Sequence, residues 1–563
     1  MVAQVGIIQL ITSKYFGNAW NKIATRLEQC EPLSTRQPTY ILECPELHLH
    51  ILYVLSCTYS KHLRSTGNFV QETKGGAQSS KRSQKGAREA EHEVASTWVE
   101  YTNSGTAGLN EQITGLRWTR RPGPVKINKA EDATECRDDG LREAFTLTLK
   151  STDRPSKGEP DRQTERSLYL SCDCSTRHVS ITHDFRAYVS SFCGSLSSLK
   201  ASDLGSIVIK ESLERAHIKP VDVSEVILGQ VLTAGQGQNP ARQAAMKAGL
   251  PISVPAYLIN MLCGSGLKAV LNGYLSIKAG ENQIVVAGGQ ESMSQSCHVL
   301  HLRKGVKIGD CSLSDTLLID GLVDAFHGIH MGVTAENISK DYSVSRKEQD
   351  EYAAKSQQKV EAAITAGYFS KEIIPITVST RKEPIIVDKD EYPKFGTTIE
   401  SLQKLKPDKG TVTAGNASGI NDGAAAVVLM SADTAIQKGL SPLAKIVAVA
   451  EGGVEPRIMG MGPVPAVELV LQKAKWTKEE VDLYELNEAF AAQAIACVKT
   501  LGLNPNKVNI NGGAIALGHP IGASGARVLV TLLHSLERIG GNKGVAALCI
   551  GGGMGIAIAV QRK

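Results

Sequence analysis

Beyond residue 200, short apolar runs alternate with amphipathic stretches, and glycine closes most of them. Residues 203–216 have helical spacing, and 223–228 read as a strand. Leu267, Val270, Leu271, Tyr274 and Leu275 share one face of a helix that stops at Gly280. The apolar run at 283–287, just before Gly288 and Gly289, suits a buried parallel strand. Towards the C-terminus, 481–486 and 508–510 read as strands and 526–536 as a helix closed by Gly540 and Gly541. Residues 545–548 and 556–560 read as two strands across a glycine turn. Strands alternating with helices predict a layered α/β protein, and the similar rhythm at its two ends hints at a duplicated unit. The 53 glycines and the 5% aromatic content suit tight strand-to-helix turns.

The first 190 residues lack this rhythm. Residues 71–94 and 150–167 are charged and rich in glycine and serine, so they cannot bury enough apolar surface to offset chain entropy. This extension reads as largely disordered, or as sequence outside the natural protein that follows from a wrong start of the reading frame. A binding module is the weaker third reading.

A net charge of +5 over 563 residues, with no basic stripe interleaved with aromatics, gives no reason to invoke nucleic acid. Seven of the 12 cysteines fall within the first 193 residues, spacing is irregular and no CxxC pair occurs, which points to a reducing compartment. Cys172 and Cys174 have no matching second pair to complete a zinc site. The apolar stretch at 40–59 carries Glu43, Glu46, His48 and His50, so it is not expected to span a membrane. With no secretory signal and no peroxisomal C-terminus, the expected location is cytoplasmic.

Four places could carry chemistry. Cys263 lies between apolar residues and a predicted helix, where the helix dipole would favour a thiolate and lower its pKa. The neighbouring glycines would let a carbonyl approach backbone N–H donors. His519 sits between Gly518 and Pro520 in a glycine-dense loop, reachable as a base. Cys549 ends a strand and opens a four-glycine turn, and Asn487 stands where a strand gives way to a helix. Taken singly, each has a plainer meaning: a buried cysteine, a satisfied loop histidine, an N-cap asparagine. Together they fall at strand ends and glycine turns, the edge of an α/β sheet where sites assemble.

From Ser191 onward the chain resembles the biosynthetic thiolases. The resemblance rests on CGSGLKAV at 263–270, GNASGINDGAAA at 415–426, NEAFAA at 487–492, GGAIALGHPIGASGAR at 512–527 and CIGGGMG at 549–555. It implies two similar halves stacked in a five-layered αβαβα arrangement with an inserted loop domain. The halves would be 191–292 plus 421–441, and 442–563, with the loop domain at 293–420. It implies acetyl-CoA C-acetyltransferase chemistry, two acetyl-CoA giving CoA and acetoacetyl-CoA. In that scheme Cys263 is the acylated nucleophile, His519 its base and Cys549 the acid/base at the α-carbon. Asn487 would position a water that, with His519, forms one oxyanion hole. The N–H groups of Cys263 and Gly551 would form the other. Leu322, His330, Met331, Lys394, Ser401, Ala417 and Ser418 would contact coenzyme A. No cofactor beyond that substrate is implied, apart from potassium near Ala414 in some members. The expected assembly is a homodimer or homotetramer. Alternatives are a 3-ketoacyl-CoA thiolase of broader chain length, a ketoacyl synthase, or an inert product.

Inertness enters through two departures from the family pattern. Residues 178–185 (HVSITHDF) look like a poor replacement for the family's buried first strand, and the loop at 404–411 is about three residues short.

Overall fold

In the computed structural model, residues 178–562 are described, together with the backbone of four strands before them. Those strands are β1 (Val99–Tyr101), β2 (Val125–Lys129), β3 (Glu143–Thr152) and β4 (Gln163–Cys172), and they form their own sheet in that order. They fall in a first compact unit, Met1–Cys174, and the rest of the chain forms a second, Ser175–Lys563. Residues 71–94, the stretch at 40–59 and the middle of 150–167 lie outside the described residues.

The main sheet of the second unit has 11 strands in one hydrogen-bonded order and folds as two halves. The first contains β5 (Val179–Ala187), β6 (Ser190–Ser191), β7 (Glu225–Gly229), β8 (Ala256–Ile259), β9 (Ile284–Ser292), β10 (Ile373–Ile374) and β11 (Asn421–Ser431). The second contains β12 (Ala444–Gly453), β13 (Leu483–Leu486), β14 (Lys543–Ile550) and β15 (Met554–Gln561). The strand order is β13-β14-β15-β12-β5-β11-β9-β7-β8, with β10 beside β5 and β6 beside β11. Only Ala444 and Lys445 of β12 pair with β5, so the seam between the halves is short.

The alternation of side chains along the strands sets the layers. Ala425, Val427 and Leu429 of β11 face a core shared with Ile556, Ile558 and Val560 of β15. Helices α3 (Ser265–Ala279) and α8 (Ser524–Ile539) fill that central layer. The other face of β11, with Ala424, Ala426, Val428 and Met430, packs on α1 (Ala201–Arg215) and α2 (Pro240–Lys247). Ala557 and Ala559 of β15 face the outer helix α6 (Pro463–Ala474). The result is the αβαβα stack that the resemblance implied. The inserted region includes α4 (Met331–Asp341) and α5 (Arg346–Thr365), and α7 (Ala491–Leu501) packs beside them.

Two expectations are corrected. Residues 179–187 do form a buried strand, despite their poor apolar pattern: β5 pairs with β11, β10 and β12. Arg186 is fully buried, with Nε 2.6 Å from Glu372 and its two other nitrogens 2.8 and 2.9 Å from Asp390. Asp184 faces His534 at 3.2 Å, and a bulge at Thr182 of β5, opposite the step from Val428 to Leu429, takes up one extra residue. Charge pairing and a bulge therefore supply what apolar alternation does not. Residues 508–510 are not a strand: Val508 makes one isolated bridge to Tyr484, and the chain turns at Asn509. The short loop at 404–411 is anchored, since Glu336 accepts the N–H groups of Thr411 and Val412 at 2.7 and 2.6 Å.

Candidate active site

Cys263 sits one residue before Gly264, the N-cap of α3. Ser265 shapes the turn: its Oγ accepts the Met261 N–H at 2.8 Å and donates to the Leu262 carbonyl at 2.6 Å. Leu262 is held at φ +46°, a strained conformation for a branched side chain. The helix can begin here because its first turn lies against that of α8. A Cβ on Gly525 would come within 2.3 Å of the Leu267 nitrogen, so only glycine permits the approach.

The expected lowering of the Cys263 pKa is not found. Burial pushes the thiol up to about 11, against the N–H of Gly551 and its own N–H, both of which favour the thiolate. Desolvation outweighs the helix end. Nucleophilic use of this sulfur therefore needs a base. Cys549, at the end of β14, is fully buried, and burial raises its thiol well above the ordinary value, with Cys263 and Cys497 as the nearby titrating neighbours.

His519 is 5% exposed, less reachable than its glycine-rich surroundings suggested. Burial, reinforced by the Arg527 charge, lowers its pKa to about 3, so the ring is neutral at physiological pH. Nδ1 lies 2.5 Å from Ser524 Oγ, which donates to the Pro520 carbonyl at 2.9 Å. A serine that spends its proton on Pro520 must accept from Nδ1–H, which leaves the lone pair on Nε2. Nε2 faces Asn487 Nδ2 at 3.4 Å. The fully buried Asn487 Oδ1 has no hydrogen-bond partner among the described residues, and an amide oxygen can accept a hydrogen bond. Asn487 is not a helix N-cap, since α7 is capped at Phe490.

Of the residues expected to line coenzyme A, Met331 packs beside Cys549, and Leu322 packs on the cluster that includes Cys263. Ala417 bridges Phe490, and the Ser418 N–H reaches the Ala489 carbonyl at 2.9 Å, which ties this loop to the Asn487 turn. His330 is exposed and caps α4 through Nδ1. Lys394 and Ser401 are exposed, and the Ser401 hydroxyl donates to the Thr398 carbonyl at 2.6 Å. Ala414 lies in an exposed turn.

Sequence reading passed over Ser524, Ser265 and Asn421. Asn421 holds the histidine loop in place: its Oδ1 accepts the His519 N–H at 2.9 Å, and its Nδ2 donates to the Ser190 carbonyl at 2.9 Å. The available signal was a polar residue flanked by small or apolar ones at a strand or helix end, a place where an unpaired group is costly.

Residues 179–433 match the thiolase N-terminal domain and 440–562 the thiolase C-terminal domain. The cytosolic acetyl-CoA acetyltransferase of Mus musculus is 57% identical over 389 residues, 68% of this chain and 98% of that relative. The acetyl-CoA acetyltransferase of Cupriavidus necator is 57% identical over 390 residues, 68% of this chain and 99% of its own length. The crystal structure of the Bacillus anthracis acetyl-CoA acetyltransferase matches at a TM-score of 0.68 and 44% identity, covering 69% of this chain and 99% of that one. Human mitochondrial 3-ketoacyl-CoA thiolase matches at 0.67 and 42%, covering 69% of this chain and 100% of that one. With both domains matched in order, and relatives of this identity covered almost end to end, the chain belongs to the thiolase family.

Proposed function

We propose that the chain is an acetyl-CoA C-acetyltransferase, interconverting two acetyl-CoA with CoA and acetoacetyl-CoA through an acyl-Cys263 intermediate. The observation that carries this reading is a sulfur that accepts a backbone N–H, set against the loop that holds a neutral histidine. The Gly551 N–H reaches the Cys263 sulfur, while His519 is held with its Nε2 lone pair beside Asn487. In the first half-reaction Nε2 takes the Cys263 proton and the thiolate attacks the thioester carbonyl. The N–H groups of Cys263 and Gly551 receive the developing oxyanion, and the CoA thiolate leaves with a proton. In the second, Cys549, left as a thiolate because its proton went to the departing CoA, takes a proton from the α-carbon of a second acetyl-CoA, and His519 returns its proton to Cys263 when the acyl group leaves. A water held by Asn487 Oδ1, together with His519, stabilises the enolate as its carbon attacks the acyl-cysteine. The raised Cys549 pKa suits a group that must return its proton in the thiolysis direction.

Coenzyme A would extend from Met331 and Leu322, past Ala417 and Ser418, to the exposed His330, Lys394 and Ser401. The proposed division is 191–292 plus 421–441 for the first half, extended back to 179 by β5, then 293–420 as the loop domain and 442–563 as the second half. A homodimer or homotetramer and a cytoplasmic location complete the reading. The mouse and rat relatives are labelled cytosolic, and no described helix is long and apolar enough to cross a membrane. Potassium is proposed at the turn around Ala414, where the donors would be backbone carbonyls. Thiolysis in KCl against NaCl tests it.

The deciding experiment treats the protein with acetoacetyl-CoA, looks for an acetylated Cys263 peptide by mass spectrometry, and compares thiolysis across chain lengths. Faster thiolysis of long 3-ketoacyl-CoA substrates would favour the second reading, a broader 3-ketoacyl-CoA thiolase, which the close structural match to the human mitochondrial enzyme supports.

A further inference from the structure

We propose that Glu291 is a positioning residue of this reaction: one buried carboxylate that locks the loop carrying His519 to the loop after β7, and so holds His519 in register with Cys263. Glu291 lies near the end of β9 and is fully buried. Its Oε2 accepts two N–H groups, from Val231 at 3.0 Å and from Gly522 at 2.9 Å. Its Oε1 accepts a third, from Leu232 at 3.2 Å. Gly522 is three residues past His519 on the same loop, and Val231 and Leu232 follow β7. Val231, Leu232 and Ile521, next to these donors in sequence, form one apolar cluster against which Cys263 and Leu262 pack. One side chain thus ties a loop of the first half to the base-bearing loop of the second, and both loops pack against the nucleophile.

The chemistry of the contact requires a carboxylate. An ionised carboxylate is acceptor-only, so three N–H groups can converge on it without conflict, whereas an amide must turn its NH2 on one of them. Burial raises the Glu291 pKa to about 7, opposed by its three N–H donors, and Asp422 is the nearby charge that raises it further. Asp422 is itself engaged by Ser294 through N–H and hydroxyl at 2.9 and 2.6 Å. Misplacing a catalytic base by about 1 Å can cost about 10²-fold in rate.

The inference rests on the thiolase reading above for what His519 and Cys263 do. The test uses the full chain with Glu291→Gln, an isosteric change. Thiolysis of acetoacetyl-CoA should lose about 10²-fold in kcat with KM within about threefold of wild type. The distinguishing readout is alkylation of Cys263 by iodoacetamide, followed on its own peptide by mass spectrometry. The ratio of rates at pH 7 and pH 11 should fall roughly tenfold, because only well below the Cys263 pKa of about 11 does the sulfur depend on the register of His519 to lose its proton. A purely structural role would lower Tm and leave that ratio at its wild-type value. Gly522→Ala is the second variant, should the first fail to fold. Its Cβ would meet Glu291 Oε2 at 2.6 Å, displacing the loop while the carboxylate remains, and the same fall in the ratio is expected. A wild-type ratio in either folded variant overturns the proposal. Alkylation needs no thioester, so if wild type forms no acyl-Cys263 it is the thiolase reading that fails, and the ratio still tests the clamp.

Discussion

Two regions of this molecule bury polar side chains, and they do so in opposite ways. At the seam around β5 the buried groups are charged and closed on one another: Arg186 with Glu372 and Asp390, and Asp184 with His534. At the site the buried groups are neutral and partly open. His519 is uncharged, the Cys549 thiol is held protonated, and Asn487 Oδ1 has no partner among the described residues. Closed polarity serves the fold, because Arg186 and its two carboxylates have already replaced hydration with one another, and the Asp184 charge lies 3.2 Å from His534. Open polarity is available to a substrate, and the fold tolerates it because none of the open groups is ionised. Changes at the site should therefore cost activity without stability, and changes at the seam stability without specific activity.

The strongest test of the first half is Cys263→Ala. Thiolysis should fall by about 10⁴-fold or more. The melting temperature should stay within about 2 °C of wild type, since the change removes one sulfur that is not fully buried. A large loss of stability would mean that this side chain belongs with the seam. The strongest test of the second half is Arg186→Met, which strands two buried carboxylates and should destabilise the protein by roughly 3–5 kcal/mol in urea titration. The kcat per folded molecule should remain within about twofold. Asn487→Ala sharpens the contrast: kcat should drop about 10²–10³-fold if Asn487 and its water serve an oxyanion hole. Stability should hold or rise slightly, because an unpartnered buried acceptor is removed.

The same contrast explains what could be read in the sequence. Along β11 and β15, apolar residues alternate between two cores, so period and face were visible without a structure. The termini of α3 and α8 were marked by Gly280 and Gly540, and the site by cysteine, histidine and asparagine set among glycines. Strand β5 was missed because its stabilising partners are far away in sequence: Glu372 and Asp390 are 186 and 204 residues from Arg186. No local window holds both members of such a pair, and the bulge in β5 breaks the period as well. The Cys263 pKa was misjudged for a related reason. The helix end is a local feature, whereas burial is produced by Leu232, Ile521 and other residues brought in by the tertiary fold.

The smallest expected effect is also the one most particular to β5. His534 is only 15% exposed, and its pairing with Asp184 raises its pKa to about 9 despite burial, which by itself lowers it. In the unfolded chain a histidine titrates near 6.5. The folded value is the higher, so the pair's contribution is fully present below about pH 6.5 and is lost as pH rises through about 9. Its size is at most about 3 kcal/mol. The urea midpoint should therefore decline between about pH 6.5 and pH 9 in wild type, and Asp184→Asn should lower the midpoint at pH 6 and flatten the decline. A decline that persists unchanged in Asp184→Asn would place the titrating group elsewhere and remove this pair from the account of how β5 stays buried. His519 stays neutral throughout that range, whereas the raised carboxyls of Glu291, about 7, and Glu485, about 8, add a decline of the same sign that Asp184→Asn leaves in place, so the decline above pH 8 is the part that reports on His534.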